Sequence, residues 1–403
     1  MKVQIAFDLL ANGVGPFLSL DDPVKGLLNG ASFTLAGEVL VDVTDTVRQV
    51  SIKRGRNRQL DKFTAGNANV VMDNRSRLYD PTNTSSPYFG SIAPRKQVTI
   101  SDLGVTLYTG QVDDWNFDYS PSGDSTAAVS CVDSLALLVD PILTAGTGTA
   151  ELTGARINSV LTDVGWPLTK RTISVGRATL DADVIEGEKV TALAYLNKVS
   201  LSEPGALFVG SLGNLVFRDR NDLQNASRSL TFGTGGIPFS EIAIEYGVEE
   251  MTNQASVTYY GGTAVAGTAI ASDAASIASY GVFDNTLDTL LGSVSDALDL
   301  ANWQVGLYAQ PQFRVDQITV ELAGLSVEDQ QRTLDLELGD VVTVKWTPND
   351  VGDPLEQVVS IDAIDFSASP ALRRISFTMS QTQAALVLDD ALVGLLNRNI
   401  LAF

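Results

Sequence analysis

Over most of the chain apolar and polar residues alternate in short runs, and turn residues interrupt them every few positions. Residues 33–35, 39–41, 47–52, 70–72, 98–100, 105–108 and 112–117 read as short strands, predicting a mainly β unit over 1–146. The period then lengthens. Leu152, Ile157, Val160, Leu161 and Val164 recur at helical spacing before Gly165-Trp166-Pro167. A second helix is predicted from Glu188 to Ser202, with Val190, Leu193, Leu196 and Val199 inward, and a hairpin follows with its turn at 211–214. This helix–helix–hairpin block, 147–237, reads as an inserted α+β domain with the Gly-rich 232–238 as its exit linker. Alternation returns over 238–385, with strands near 257–260, 317–322, 341–346, 357–366 and 374–379. One helix should interrupt them, capped by Asn285 with Leu287, Leu291, Val294, Leu298 and Ala301 on one face. Residues 386–403 form a C-terminal extension. The fold class expected is mainly β with an α+β insert.

The two β regions look related. LYTGQVDDWNFDYSP, ending at Pro121, lies over EQVVSIDAIDFSASP, ending at Pro370, without a gap. Val112 falls on Ile361, Asp113 on Asp362, Trp115 on Ile364 and Phe117 on Phe366. Residues 98–100 resemble 342–344, and Val129-Ser130 resembles Ile375-Ser376 after a shorter loop. Three strands in the same order, with a shared Ser-Pro turn, point to an internal duplication.

At 403 residues the chain can hold two or three domains with real cores. Its 44% hydrophobic and 19% charged residues exclude wholesale disorder. A formal charge of −21 opposes nucleic-acid binding as the main activity. It favours solubility, and would equally suit a surface past which nucleic acid moves without sticking. Cys131 is the only cysteine, so no intramolecular disulfide can form, and its strand-like surroundings predict a buried thiol. The first residues lack the shape of a signal peptide, and no run of 18 apolar residues predicts a membrane anchor.

One segment departs from the acidic mean. Ten of the 27 Lys and Arg lie between Arg48 and Lys96, against the three acids Asp61, Asp73 and Asp80. It carries Arg54-Gly55-Arg56, Phe63, Ala65-Gly66, Asp73-Asn74-Arg75, Asp80-Pro81, Ser86-Pro87-Tyr88 and Pro94. This string resembles the N-terminal hub domain of phage tail-tip proteins, above all minor tail proteins of long-tailed phages of actinobacteria. The resemblance implies two related β-barrel hub domains per subunit and a homotrimer whose six barrels adapt six-fold tail-tube symmetry to a three-fold tip. It also implies a virion protein at the distal end of the tail, with the distal tail protein and tape-measure protein as partners. DNA would pass without specific binding. A hexameric distal tail protein is the alternative within the tail. Outside it stands a carbohydrate-active or receptor-binding module acting on the host envelope.

Enzyme chemistry finds little support. Without histidine there is no Ser-His-Asp or Cys-His nucleophile and no HExxH zinc site. One cysteine cannot build a thiolate metal site, and Gly233-Thr234-Gly235-Gly236 runs into Ile-Pro without the lysine of a phosphate loop. The acidic pairs Asp113-Asp114, Glu249-Glu250 and Asp389-Asp390 have no distinguishing spacing, and 181–188 resembles a calcium loop only loosely. No catalytic residue, metal or cofactor is therefore expected. The candidate functional residues are Arg54, Arg56, Arg58, Arg75 and Arg77. On a strand the first three would share a face, either solvated or set against the acidic surface of a neighbouring subunit.

Overall fold

The computed structural model describes residues 1–7, 39–57, 61–143, 149–181, 190–224, 228–262, 264–311 and 313–381. The expected strand at 33–35, Arg58, Glu188 and the extension 386–403 lie outside these residues. Among the described residues thirteen strands join in one sheet. They are β1 (Lys2–Phe7), β2 (Val39–Asp42), β3 (Val47–Gly55), β4 (Thr64–Asp73), β5 (Gln97–Asp102), β6 (Val105–Tyr119) and β7 (Ser125–Val132). The second half supplies β8 (Arg228–Gly233), β9 (Glu241–Tyr246), β10 (Phe313–Glu321), β11 (Val341–Trp346), β12 (Leu355–Ala368) and β13 (Arg373–Gln381).

Pairing follows the path β9-β10-β13-β12-β3-β4-β7-β6-β5-β1-β2, with β11 beside β12 and β8 beside β11. Two copies of one motif are embedded in it, β3-β4-β7-β6-β5-β1 and β9-β10-β13-β12-β11-β8. They differ in one orientation: β1 runs antiparallel to β5, whereas β8 runs parallel to β11. A β-bulge marks their kinship. The register slips between Val112 and Asp114 against β7, and between Ile361 and Ala363 against β13, leaving Asp113 and Asp362 as equivalent extra residues.

The two expected barrels are not separate closed rings among the described residues. The second half of β12 pairs with β3, setting Ile364 opposite Arg54, Phe366 opposite Ile52 and Ala368 opposite Val50. One hydrophobic core, from Val3 to Met379, consequently runs through both copies. The reason is physical: β12 is longer than its partner β11, and its surplus edge is satisfied by the first copy. The equivalent surplus of β6 has no such partner. Beyond Val112 it pairs with β7 alone, and β9 pairs with β10 alone, among the described residues.

Other elements also depart from the sequence reading. Residues 105–108 and 112–117 belong to one strand, because Gly110 lets the chain pass Tyr108 and Val132 where a Cβ would come within 2.5 Å of the Val132 carbonyl oxygen. The expected linker is part of the sheet: Gly233 pairs with Lys345, and Ile237 is buried. Asn285 caps no helix. It lies on a strand, Asp284–Leu287, parallel to Gln254–Gly261. The helix is Val294–Tyr308, capped by Ser293, with Ala297, Leu300, Ala301 and Val305 inward while Val294 and Leu298 are exposed. Pairing with Val257 captured Leu287, so tertiary contacts overrode the helical period.

A second core holds the α+β part. Helices Thr153–Asp163 and Ala192–Ser202, the hairpin Ala206–Val209 with Leu215–Arg218, strand Gln254–Gly261 and helix Val294–Tyr308 meet there. Arg156 is wholly buried in it, held by Glu151, the Tyr195 hydroxyl and the Asp181 carbonyl oxygen.

The unequal edges predict unequal mutational costs. Phe366→Ala should destabilise the isolated chain by about 3–5 kcal/mol in urea titration. Its counterpart Phe117→Ala, half-buried beside the open edge, should cost less than roughly 2 kcal/mol in the same measurement.

Candidate functional site

The basic segment resolves into an ordered loop and a junction. The loop between β4 and β5 is held by its own polar side chains. The Asn74 carbonyl Oδ1 accepts from the Tyr79 amide at 3.0 Å, and Asp80 accepts from the Thr82 amide and hydroxyl at 2.8 and 2.7 Å. Asn83 donates to the Arg77 carbonyl at 2.9 Å, and the Ser86 hydroxyl accepts from the Tyr88 amide at 3.1 Å. These side chains reinforce a run of backbone turn bonds, among them the Arg77 amide to the Asn74 carbonyl and the Asn83 amide to the Asp80 carbonyl. Arg77 occupies the left-handed region at φ 55°.

This loop carries rings onto β6. Tyr88 stacks on Phe7 at 4.2 Å, Tyr79 lies 6.2 Å from Trp115, and Trp115, Phe117 and Tyr119 continue as a ladder spaced 6.2 and 6.4 Å. The ladder lies on the part of β6 that has β7 as its one neighbour among the described residues.

The junction of the two copies uses the Arg54-Gly55-Arg56 turn. Gly55 has φ +112°, and a Cβ there would lie 2.1 Å from the Asp362 carbonyl oxygen, so only glycine lets β3 meet the β12 bulge. The Arg54 guanidinium, 5% exposed, donates to both Glu337 oxygens at 3.1 and 2.8 Å. Arg56 donates twice to Asp362 at 3.1 and 2.9 Å and lies 4.6 Å over the Phe63 ring. Burial pushes the Glu337 carboxyl up, but Arg54 and the Leu338 and Ser211 amides outweigh it and hold it below the usual range. Asp133 behaves oppositely. Desolvation raises it to about 6, although it accepts from the Gly66 and Leu135 amides. A Cβ on Gly66 would lie 2.7 Å from Asp133, which accounts for the glycine there.

Arg54 and Arg56 therefore make their contacts inside the chain, across the junction. β3 ends at Gly55 and Arg56 lies beyond it, so the two arginines do not present a common solvated face. Arg75 and Arg77 are exposed, paired locally with Asp73 and Asp80, and Arg58 is not among the described residues. Sequence reasoning missed Glu337 and Asp362, which the nearby Asp335, Asp340 and Asp365 do not set apart from an ordinary acidic stretch. Asp362 had a signal, its alignment with Asp113. Cys131 is buried as expected. Among the described residues, no group of three His, Cys, Asp or Glu is placed to hold a metal ion. No described helix is long and apolar enough to cross a membrane.

No protein-family model and no curated protein matches this sequence. Its fold is nevertheless that of phage tail proteins of solved structure. The 43 kDa tail protein of prophage MuSo2 from Shewanella oneidensis superposes with TM-score 0.58 at 17% identity, over 94% of this chain and 98% of that one. The tail protein from Neisseria meningitidis MC58 gives 0.53 at 14% identity over 86% and 94%. Prophage tail protein gp18 from Listeria monocytogenes EGD-e gives 0.53 at 10% identity over 95% of each chain.

Two expectations test the junction. Arg54→Ala, which strands the Glu337 carboxylate, should cost about 3–5 kcal/mol in chemical denaturation. Replacing both partners by methionine should recover most of that loss. For Asp133 the folded-state value lies above the unfolded 3.8, so its stabilising contribution is full below pH 3.8 and is lost as pH rises through about 6. The melting-temperature difference between the parent chain and Asp133→Asn should therefore shift in favour of the parent on acidification from pH 7 to 4.

Proposed function

We propose that this chain is a structural virion protein that builds the hub ring at the distal tip of a long bacteriophage tail. The observation that carries the reading is the duplicated motif joined into one sheet, within a fold shared along almost its whole length with phage tail proteins. A subunit with two quasi-equivalent β units can meet a six-fold tube with three copies, so a homotrimer is the assembly favoured. The sequence string around residues 54–94 adds the resemblance to minor tail proteins of actinobacterial phages.

One surface of the sheet suits a channel. Opposite the core it presents Ser51, Asn67, Asn69, Asn116 and Ser376, with the carboxylates Asp114, Asp118, Glu241, Glu245 and Asp365 against Lys53 and Arg374. Such a face is hydrated and mildly acidic, and so repels phosphate instead of retaining it. DNA and the tape-measure protein would pass along it without specific binding. Arg75 and Arg77, exposed beside the aromatic ladder, remain candidate contacts with an acidic neighbouring subunit.

Cryo-electron microscopy of assembled particles tests the reading by copy number. Three copies in a pseudo-six-fold ring at the tail tip are expected. Six copies would make the chain a distal tail ring, and absence from particles would overturn the tail role. A glycan-cleaving activity abolished by a single carboxylate substitution would do the same for the structural role.

A further inference from the structure

We infer that the open edge of β6 pairs with the open edge of β9 from a second copy of this chain, repeating between subunits the β12–β3 contact made within one. The inference rests on the ring-forming reading above and specifies how the ring closes.

The two copies of the motif give the register. Val129 and Phe377 are equivalent because they face Trp115 and Ile364, which the aligned bulges equate. Val70 faces Val129 and Ile318 faces Phe377; Val50 faces Val70 and Ile242 faces Ile318. Hence Val50 corresponds to Ile242, Ile52 to Ile244, Arg54 to Tyr246 and Gly55 to Gly247. Transferring the β12–β3 register sets Trp115 opposite Tyr246, Phe117 opposite Ile244 and Tyr119 opposite Ile242 in the neighbour.

Burial supports the transfer. Ile364, Phe366 and Ala368 are 5%, 2% and 3% exposed where the contact is made. At the corresponding unmade contact Trp115 and Phe117 are only half-buried, Tyr119 is 48% exposed and Tyr246 is 71% exposed. Both edges thus carry apolar side chains that their twins bury. Gly247 adds an independent mark. Its twin Gly55 is required by the touching β12 backbone, yet among the described residues nothing would come within 4 Å of a Cβ on Gly247. A glycine without a local reason stands where the neighbour's bulge at Asp113 would arrive.

Charge also fits. Within the chain Asp365 lies opposite Lys53. Their counterparts are Asn116 and Glu245, so an amide faces a carboxylate in place of the ion pair, and no like charges face directly. Each chain offers one edge of each kind, so the contact is head-to-tail and builds a ring where its rotation closes.

The test is a cross-link in assembled particles carrying Asn116→Cys and Glu245→Cys in one chain. Cys131, 1% exposed, does not compete. Mild oxidation should give covalent chain–chain multimers that end at the ring's copy number, while the register-shifted pair Asn116→Cys with Glu241→Cys should give about ten-fold less. Particles that contain the ring but show no cross-link, or equal cross-linking in both registers, would overturn the edge pairing and leave the hub reading standing. Gly247→Val provides a second measure. The purified chain should keep its melting temperature, while incorporation into particles falls by about ten-fold or more. Undiminished incorporation would overturn the contact.

Discussion

The pairing of β12 with β3 is the constraint on which the rest of this structure depends. A duplicated β motif could fold as two independent units, each with exposed strand edges. Here the surplus length of β12 is spent on the first copy, so one set of backbone hydrogen bonds and one apolar core span residues more than three hundred positions apart. Long-range pairing of this kind is costly in loop entropy, and the intervening α+β part must hold the two copies in reach. Its hairpin touches both at one point: the Ser211 amide of the hairpin turn and Arg54 of β3 both donate to Glu337, where hairpin, first copy and second copy meet.

The junction shows why a basic segment inside an acidic protein need not be a binding surface. A buried guanidinium is tolerable only when its fork is filled, and Arg54 and Arg56 find carboxylates on the second copy. Each pair contributes less net energy than specificity. A slip of one residue between β3 and β12 would strand both charges and point Ile52 and Phe366 to the wrong face. Gly55 enforces the same register sterically.

Much of this was legible in the sequence where the signal was periodic or local. The strands around β4, β5 and β7, both long helices of the insert, the hairpin and the duplication follow from alternation, spacing and the aligned Ser-Pro turns. The order of strands within the sheet was not legible, because β12 and β6 read alike although, among the described residues, only β12 has a partner along the second half of its outer edge. Asn285 misled for a related reason: Leu287 satisfies a helical period, and its contact with a distant strand outweighed that preference. At the site, the loop motif from Asp73 to Pro94 was visible as turn chemistry. Glu337 carries no local pattern, since its meaning lies in Arg54, and only the fold brings the two together.

Duplication within one chain turns a symmetry problem into one of edges. If the two copies were identical in sequence, nothing would distinguish the contact inside a chain from the contact between chains, and assembly could begin with any pairing. The sequence breaks that degeneracy. At the internal contact it places Arg54, Arg56, Glu337 and Asp362, whose pairing at short range survives as a fixed junction. At the outer edges Arg54 and Arg56 are replaced by Tyr246 on β9 and Val248 just past it, so that Asp113, the counterpart of Asp362, has no arginine to meet, while Trp115, Phe117 and Tyr119 on β6 are apolar and partly exposed. Apolar edges can open and re-form without stranding a buried charge, whereas the internal pairs cannot. The chemistry of the two contacts therefore sets an order: the chain closes its own junction on folding, and its free edges remain for neighbours of the same kind.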